Sequence, residues 1–177
     1  MASRGFIELL RLADLAEARQ TGRNNPDQED WVGIVFEVAG ERLVAPLGEV
    51  SEVLALPELT AMPLTEPWLL GVANVRGRLL PLTDLAQFLG VQSLERLKNR
   101  KVLVIDKGEV FSGLLVDQVL GIHRFISTQY VAEEMPKTSV FAPYNHGKFV
   151  KDGEDFRVFM PSLLTEDARY MNASTGS

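Results

Sequence analysis

The sequence has no cysteine, only two histidines and only six lysines among its 177 residues. Without thiols the chain cannot perform cysteine catalysis, and it cannot hold zinc or an iron–sulfur cluster through cysteine. The 24 acidic residues outnumber the 18 Lys and Arg, for a net charge of −6. This balance disfavours nucleic-acid binding, because that affinity depends largely on neutralising phosphates.

Long apolar runs and targeting signals are missing as well. No run approaches the roughly 20 apolar residues of a membrane-spanning helix. The first stretch of the chain carries acidic side chains among its apolar residues and has no small-residue cleavage site. We therefore expect a cytoplasmic protein with no direct membrane insertion. With 46% hydrophobic residues, a chain of this length can form a core without disulfides or a structural metal.

Motifs for enzyme chemistry are scarce. Neither G-x-x-x-x-G-K-[ST] nor G-x-G-x-x-G occurs, and no spacing of His and carboxylates indicates a metal or another cofactor. A small β-barrel enzyme or ligand-binding domain that uses His123, Asp117 or His146 stays open as an alternative, although a cap or edge role explains Asp117 better. A single-stranded nucleic-acid binder is another alternative and needs exposed aromatics beside lysines. The candidates for it are Tyr130, Phe141 and Tyr144 with Lys137 and Lys148.

Most of the chain has the two-residue period of β-strands, with glycine-containing turns between short apolar segments. Strands this short and this densely punctuated favour a sandwich or small barrels over an α/β sheet. The sequence therefore predicts a mainly β fold. Four pairs of strands are predicted, over residues 31–46, 71–82, 102–116 and 148–160.

Helical patterns are confined to a few places. Residues 5–19 have apolar side chains at spacings of three and four, which predicts an amphipathic helix. Such a helix is marginal in water alone, so packing on the domain is favoured over binding a partner, which is the alternative. A short helix is predicted from Asp84, as N-cap, to Gly90, and another begins at Pro161. We expect a helix and linker at 1–30, a main domain at 31–168 and a disordered tail at 169–177.

Two charged residues stand in strongly apolar surroundings: Glu52 in VSEVL and Arg76 in NVRG. A charge in a half-buried sheet normally needs a partner, so an ion pair between them is a natural hypothesis. The alternative is that both side chains face water, because strand alternation alone leaves the facing of each one open.

The run GVANVRGRLLPLTDL at 71–85 resembles the signature of CheW-like domains, G-[hydrophobic]-x-N-[hydrophobic]-R-G followed by [hydrophobic]-P-[hydrophobic]-x-D-L. Three further stretches support the resemblance: LGEVSEV at 47–53, PWLL at 67–70 and GLLVDQV at 113–119. The similarity covers about residues 31–166.

The resemblance implies two interleaved, SH3-like, five-stranded β-barrels with a short C-terminal helix. It also implies a non-enzymatic adaptor that needs no cofactor and couples a methyl-accepting chemoreceptor to a CheA-type histidine kinase. The kinase's regulatory domain has the same fold and joins the adaptor barrel to barrel. The cytoplasmic tip of the receptor lies in a groove near the N-x-R-G strand. Such a protein works in the cytoplasm, at the membrane-proximal chemosensory array, through its partners.

Within the family, the chain is most similar to adaptors of the chemosensory systems that control type IV pili and twitching motility, because a helix precedes its domain. A flagellar chemotaxis adaptor is the alternative, although residues 135–148 depart from the glycine-rich stretch usual there. Glu52 and Arg76 match the family's charged pair. The residues that the resemblance assigns to receptor or kinase binding are Val50, Glu52, Gly71, Asn74, Arg76, Gly77 and Leu79.

Overall fold

The computed structural model describes Leu9 and residues 30–63 and 65–174, and this part of the chain is mainly β. The strands are β1 (Asp30–Val38), β2 (Glu41–Pro46), β3 (Glu52–Ala55), β4 (Leu69–Val75), β5 (Arg78–Asp84), β6 (Lys101–Lys107), β7 (Val110–Val116), β8 (Gln118–Ile126), β9 (Tyr130–Val131), β10 (Asn145–Lys151) and β11 (Glu154–Phe159). The short helices are α1 (Leu85–Leu89), α2 (Pro161–Thr165) and α3 (Ala168–Ser174). No helix among the described residues is long and apolar enough to cross a membrane.

All four predicted strand pairs are present as antiparallel hairpins: β1–β2, β4–β5, β6–β7 and β10–β11. Two-residue turns with positive φ at both positions match the twist of the strands that they join. The β4–β5 turn has this form, with Arg76 at φ 54° and Gly77 at φ 81°. Asparagine assists this turn, because Asn74 Oδ1 accepts a hydrogen bond from the Gly77 amide at 3.0 Å.

The strands form two curled sheets, which we call barrel 1 and barrel 2. Barrel 1 has the strand order β8-β1-β2-β11-β10-β9, and barrel 2 has the order β3-β6-β7-β5-β4. The chain begins in barrel 1, makes all of barrel 2, and returns, so the predicted interleaving is confirmed. Barrel 2 has the predicted five strands. Barrel 1 has six, because the two-residue strand β9 adds to β10 after a 3-10 turn at Ser127–Gln129.

Three apolar clusters fill the molecule. One lies between the barrels and takes side chains from both sheets and from all three helices. The second lies in barrel 1 around Trp31 and Phe149. The third lies in barrel 2 and is built from interior-facing aliphatic residues. Leu9 belongs to the barrel 1 cluster, where it is helical and fully buried. The rest of the predicted 5–19 helix lies outside the described residues.

The predicted helix ends at α1 and α2 are confirmed. Asp84 caps α1 by accepting a hydrogen bond from the Gln87 amide at 3.3 Å, and Gly90 ends it in the left-handed region at φ 76°. Asp84 also binds Arg100 at 3.0 Å in a largely buried ion pair. Pro161 occupies the first turn of α2, where its missing N–H costs nothing.

The predicted disorder of residues 169–177 is wrong for 169–174, which lie in α3; residues 175–177 lie outside the described part. Tyr170 explains the order, because its side chain is fully buried between the barrels. Its ring stacks on Trp68 with centroids 6.2 Å apart and meets Phe88 edge-on at 5.8 Å. Its hydroxyl is hydrogen-bonded to Ser112 Oγ in β7 at 2.5 Å. Tertiary packing of this kind stabilises a helix too short to form alone.

Candidate partner-binding site

In barrel 2, the rows of interior-facing side chains along β3, β5 and β6 end in charged residues at one open end of the barrel, which we call its mouth. Side chains two residues apart on a strand share a face. The core row of β5 therefore continues from Leu80 to Arg78, and that of β6 continues from Val104 to Asp106. Glu52 in β3 pairs in register with Val104 and points the same way. The core residues at the inner ends of these rows are Leu80, Leu82, Val102, Val104 and Leu115.

This mouth forms an open groove of about 300 Å³. Its floor is apolar, since Val75 and Phe111 pack against the barrel 2 core beside Val104. Its rim carries two ion pairs. The groove is lined by Ser51, Glu52, Val75, Arg76, Arg78, Val104, Asp106 and Phe111.

The predicted pair between Glu52 and Arg76 is confirmed, with Arg76 Nη1 2.6 Å from Glu52 Oε2. It joins edge strand β3 to the β4–β5 turn, at the opposite edge of the sheet, and so helps to close the barrel. The carboxylate lies beneath the guanidinium, because the Arg76 side chain is 78% exposed and that of Glu52 is 22% exposed. A pair this open to water contributes about 0–1 kcal/mol to folding.

The second ion pair was not found from the sequence. Arg78 Nη1 lies 2.7 Å from Asp106 Oδ2, and the Arg78 guanidinium lies over the Phe111 ring at 3.7 Å from its centroid. Asp106 lies in β6, before the turn formed by Gly108 and Glu109. Extending the two-residue period of β6 from Val104 would have identified Asp106 as a neighbour of the groove.

The other residues that the resemblance assigns to binding lie in three settings. Asn74 and Leu79 are cross-strand partners on the outer face of the β4–β5 hairpin, and Leu79 is 69% exposed. Gly77 lies in the exposed turn. Val50 is buried between the barrels, and Gly71 is buried in β4. The structure therefore brings Glu52 and Arg76 together at the groove, whereas the exposed Leu79 lies on the opposite, outer face of the same hairpin.

Gly71 lies close to the backbone of the loop that precedes β4. A Cβ on Gly71 would lie 2.5 Å from the carbonyl oxygen of Thr60, and Thr60 and Val72 exchange two backbone hydrogen bonds of 2.9 Å. The φ of Gly71 is also positive, at 151°. Gly71 thus lets the loop before β4 pack on that strand, directly behind the hairpin.

Gly71→Ala should lower the free energy of unfolding by about 2–4 kcal/mol, because overpacking against rigid backbone adds to the cost of a positive φ. Chemical denaturation would measure it. Gly121→Ala is the matched control, since Gly121 also has a positive φ of 107° but has nothing within 4 Å of an added Cβ. Equal losses in the two variants would rule out the clash with Thr60.

Glu49 is a buried acid that the sequence analysis did not single out. It lies in the 3-10 turn Leu47–Glu49, where the chain crosses from barrel 1 to barrel 2, and its Oε1 accepts a hydrogen bond from the Ser162 amide at 2.7 Å. Its Oε2 is buried with no partner among the described residues. Burial raises the pKa of Glu49 above 4.5, although the hydrogen bond from Ser162 and the charge of Lys107 oppose this.

The stability of the Glu49→Gln variant relative to the wild type should increase as the pH rises. The folded state binds the Glu49 proton more tightly than the unfolded state, so the wild type loses stability as the pH rises from about 4.5 through the raised pKa. Glutamine keeps an oxygen for the Ser162 amide and has no proton to lose. Thermal melts across this range would measure the difference, with the exposed Glu58→Gln as control. A difference independent of pH would contradict the prediction.

The candidates for an enzyme site have separate neighbours. His123 lies beside the rings of Phe125 and Phe156, and His146 lies beside Tyr130. Asp117 has the predicted capping role: it accepts hydrogen bonds from the Ala39 amide at 2.9 Å and the Leu94 amide at 3.2 Å, and from the Ser93 hydroxyl. Within the described ranges, no group of three or more His, Asp or Glu could hold a metal ion. The hypothesis of a site that unites these three residues gains no support.

The proposed aromatic platform for single-stranded nucleic acid is contradicted. Tyr130, Phe141 and Tyr144 are all buried, so none presents a face for a base to stack on. Burial and the hydrogen bond to Asp167 raise the pKa of Tyr144 to about 12. Lys148 binds Glu133 at 3.0 Å and Asp155 at 2.9 Å, which leaves it in an acidic surrounding.

Known proteins are similar to this chain over most of its length. Residues 32–155 match the model of the CheW-like domain. Protein PilI of Pseudomonas aeruginosa is 39% identical over 146 residues, which are 82% of each chain. Chemotaxis protein CheW of Thermotoga maritima is 32% identical over 94 residues, which are 53% of this chain and 62% of that protein. Protein FrzA of Myxococcus xanthus is 34% identical over 99 residues, 56% of this chain and 60% of that protein.

The fold is shared with a solved structure. The scaffolding protein TtCheW from Thermoanaerobacter tengcongensis superimposes with a TM-score of 0.65 over 73% of this chain and 88% of that chain, at 22% sequence identity. The chain belongs to the CheW-like domain family.

Proposed function

We propose that this chain is a non-enzymatic adaptor that couples a methyl-accepting chemoreceptor to a CheA-type histidine kinase. The observation that carries the proposal is the Glu52–Arg76 pair, held at the open mouth of barrel 2 in a member of the CheW-like family. The two residues come from opposite edges of the sheet and meet beside an apolar groove. This arrangement suits the binding of a protein surface.

The receptor tip binds at the β4–β5 hairpin in this proposal. Leu79 offers an exposed apolar side chain next to Asn74, and Arg76 offers a charge at the turn. Val50 and Gly71 act from below by fixing the strands, since both are buried. A contact of this extent is small, but an array that repeats it many times gains persistence through high effective concentration.

The kinase's regulatory domain binds through an exposed sheet edge in this proposal. Strand β8 is an edge of barrel 1, and its exposed side chains include Leu120 and Ile122, the latter 65% exposed. Edge strands carry backbone groups that a neighbouring sheet can pair with. The two partners then occupy different barrels, so one adaptor can hold both.

The setting that we propose is the chemosensory system that controls type IV pili and twitching motility. The similarity to PilI supports it, because that alignment covers 82% of both chains. We place the protein in the cytoplasm, at the membrane-proximal array through its partners, with residues 31–168 as the CheW-like domain. Deleting the gene should abolish twitching and spare swimming; the reverse result would favour the flagellar alternative.

Co-sedimentation tests the adaptor function directly. The chain should bring together the cytoplasmic hairpin of its receptor and the histidine kinase in one complex, and should bind each of them alone. Omitting the chain is the control for direct contact between receptor and kinase. If the chain bound neither protein even with the receptor hairpins clustered on a surface at high effective concentration, the proposed coupling would be excluded.

A further inference from the structure

We propose that Arg78 makes the mouth of barrel 2 selective for a partner segment that carries a carboxylate beside an apolar side chain. This inference rests on the proposed function and specifies the chemistry of one of its partners. It follows from how the two ion pairs of the groove are layered, from the donors that they leave unused, and from the apolar floor beneath them.

The arginines form the outer layer of the groove. Arg76 is more exposed than Glu52, and Arg78, at 55%, is more exposed than Asp106, at 37%. The charges balance in number, but a protein that approaches the mouth meets guanidinium groups first. The local surface is therefore complementary to an acidic partner, although the chain as a whole has a net charge of −6.

The guanidinium of Arg78 has donors to spare. An arginine side chain has five N–H donors, and among the described residues Arg78 gives one hydrogen bond, from Nη1 to Asp106. The guanidinium carbon lies over the Phe111 ring, 3.7 Å from its centroid, and this contact with the ring consumes no N–H group. Arg78 can therefore donate two hydrogen bonds to a second carboxylate while it stays paired to Asp106.

The floor of the groove sets the second requirement. Val75, Val104 and Phe111 are apolar and connect to the barrel 2 core. The groove has a volume of about 300 Å³, which is room for a side chain. An apolar side chain that enters it covers this floor, and a carboxylate next to that side chain reaches the rim. If the partner segment is a helix, its apolar residue and its carboxylate residue would be three or four positions apart, because residues at that spacing are neighbours on the helix surface.

Two variants distinguish partner recognition by Arg78 from a purely structural role of the Arg78–Asp106 ion pair. Arg78→Met keeps an apolar stem over Phe111 and removes the charge, so it should weaken binding of the partner about tenfold. Asp106→Asn removes the internal competitor and frees the guanidinium, so it should leave affinity unchanged or raise it up to about threefold. If the ion pair itself were what mattered, both variants would weaken binding equally.

The experiment is a titration of the full chain with the receptor's cytoplasmic hairpin and, separately, with the kinase's regulatory domain. Arg42→Met is the matched control, because Arg42 on barrel 1 also combines an ion pair, with Glu154 at 2.8 Å, and a ring contact, with Phe156 at 5.6 Å. Raising the salt concentration should weaken wild-type binding more than Arg78→Met binding to the same partner. Thermal melts of every variant establish that each one is folded.

The outcomes separate this inference from the function on which it rests. Weaker binding of Arg78→Met to one partner, with Arg42→Met unaffected and Asp106→Asn unaffected or tighter, supports the inference. If the wild type binds its partners and Arg78→Met binds both equally well, the inference is wrong and the adaptor function stands. If the wild type binds neither partner, both are wrong.

Discussion

Tyr170→Ala should lower the free energy of unfolding by about 3–5 kcal/mol, the usual cost of removing a large buried aromatic side chain. Tyr170 is 1% exposed, and its ring packs against Trp68 and Phe88, which link α3 to the lead-in of β4 and to α1. A small domain has only about 5–15 kcal/mol of stability in all, so this loss is a large fraction of the total. Chemical denaturation would measure it.

Tyr170→Phe is the matched control for the ring. It keeps the stacking and removes only the hydroxyl that is hydrogen-bonded to Ser112, so we expect a loss of about 1–2 kcal/mol. Arg169→Ala tests the surface of the same helix, where the Arg169 guanidinium lies over Phe88 at 4.1 Å, and should cost less than 1 kcal/mol. A Tyr170→Ala protein as stable as Tyr170→Phe would mean that α3 is not anchored by this ring.

The second large effect concerns binding. Glu52→Lys should weaken the complex with the receptor hairpin about 100-fold while the chain stays folded. The substitution sets a positive charge against Arg76, 2.6 Å from the present carboxylate, and like charges at this distance repel. The β4–β5 turn then loses its tie to β3, and the hairpin no longer holds Arg76 and Leu79 in place. Titration with the receptor fragment would measure the loss.

Two further variants define how the pair acts. Glu52→Gln removes the charge without reversing it and should weaken binding about tenfold. Glu52→Lys with Arg76→Glu restores an ion pair of opposite direction. Recovery of binding in this double variant would mean that the pair positions the hairpin. Continued loss would mean that Arg76 contacts the partner. Wild-type affinity in Glu52→Lys alone would remove Glu52 from the site.

Features that depend on neighbouring residues were predictable from the sequence. The four hairpins follow from a two-residue period and from turn residues such as Gly40 and Gly77, whose positive φ the turns require. The α1 cap follows from Asp84 in the same way. The apolar surroundings of Glu52 and Arg76 left two possibilities, an ion pair or two side chains that face water. The signature at 71–85 favoured the ion pair. The structure supplied the distance.

Features that depend on closure of the barrels were not predictable. Arg78 and Asp106 lie on β5 and β6, which are separated in the sheet by β7, so no local pattern links them. Tyr170 meets Ser112 across 58 residues of sequence, and Glu49 meets Ser162 across 113. In each case a polar or aromatic residue with an ordinary local context gains its role from a partner that only the folded chain brings near.

The insertion of barrel 2 into barrel 1 sets an order on folding during synthesis. All five strands of barrel 2 have been synthesised once Val116 is made. In barrel 1, β2 pairs with β11, which is synthesised only after the whole of barrel 2. Domains made by the ribosome generally fold as soon as their elements are available. Trp68 and Phe88 pack edge-on against each other, with ring centroids 4.8 Å apart, but they gain the ring of Tyr170 only after barrel 1 is complete. The strands of the groove-bearing half are thus complete first, and α3, which follows β11 in the chain, packs between the two barrels.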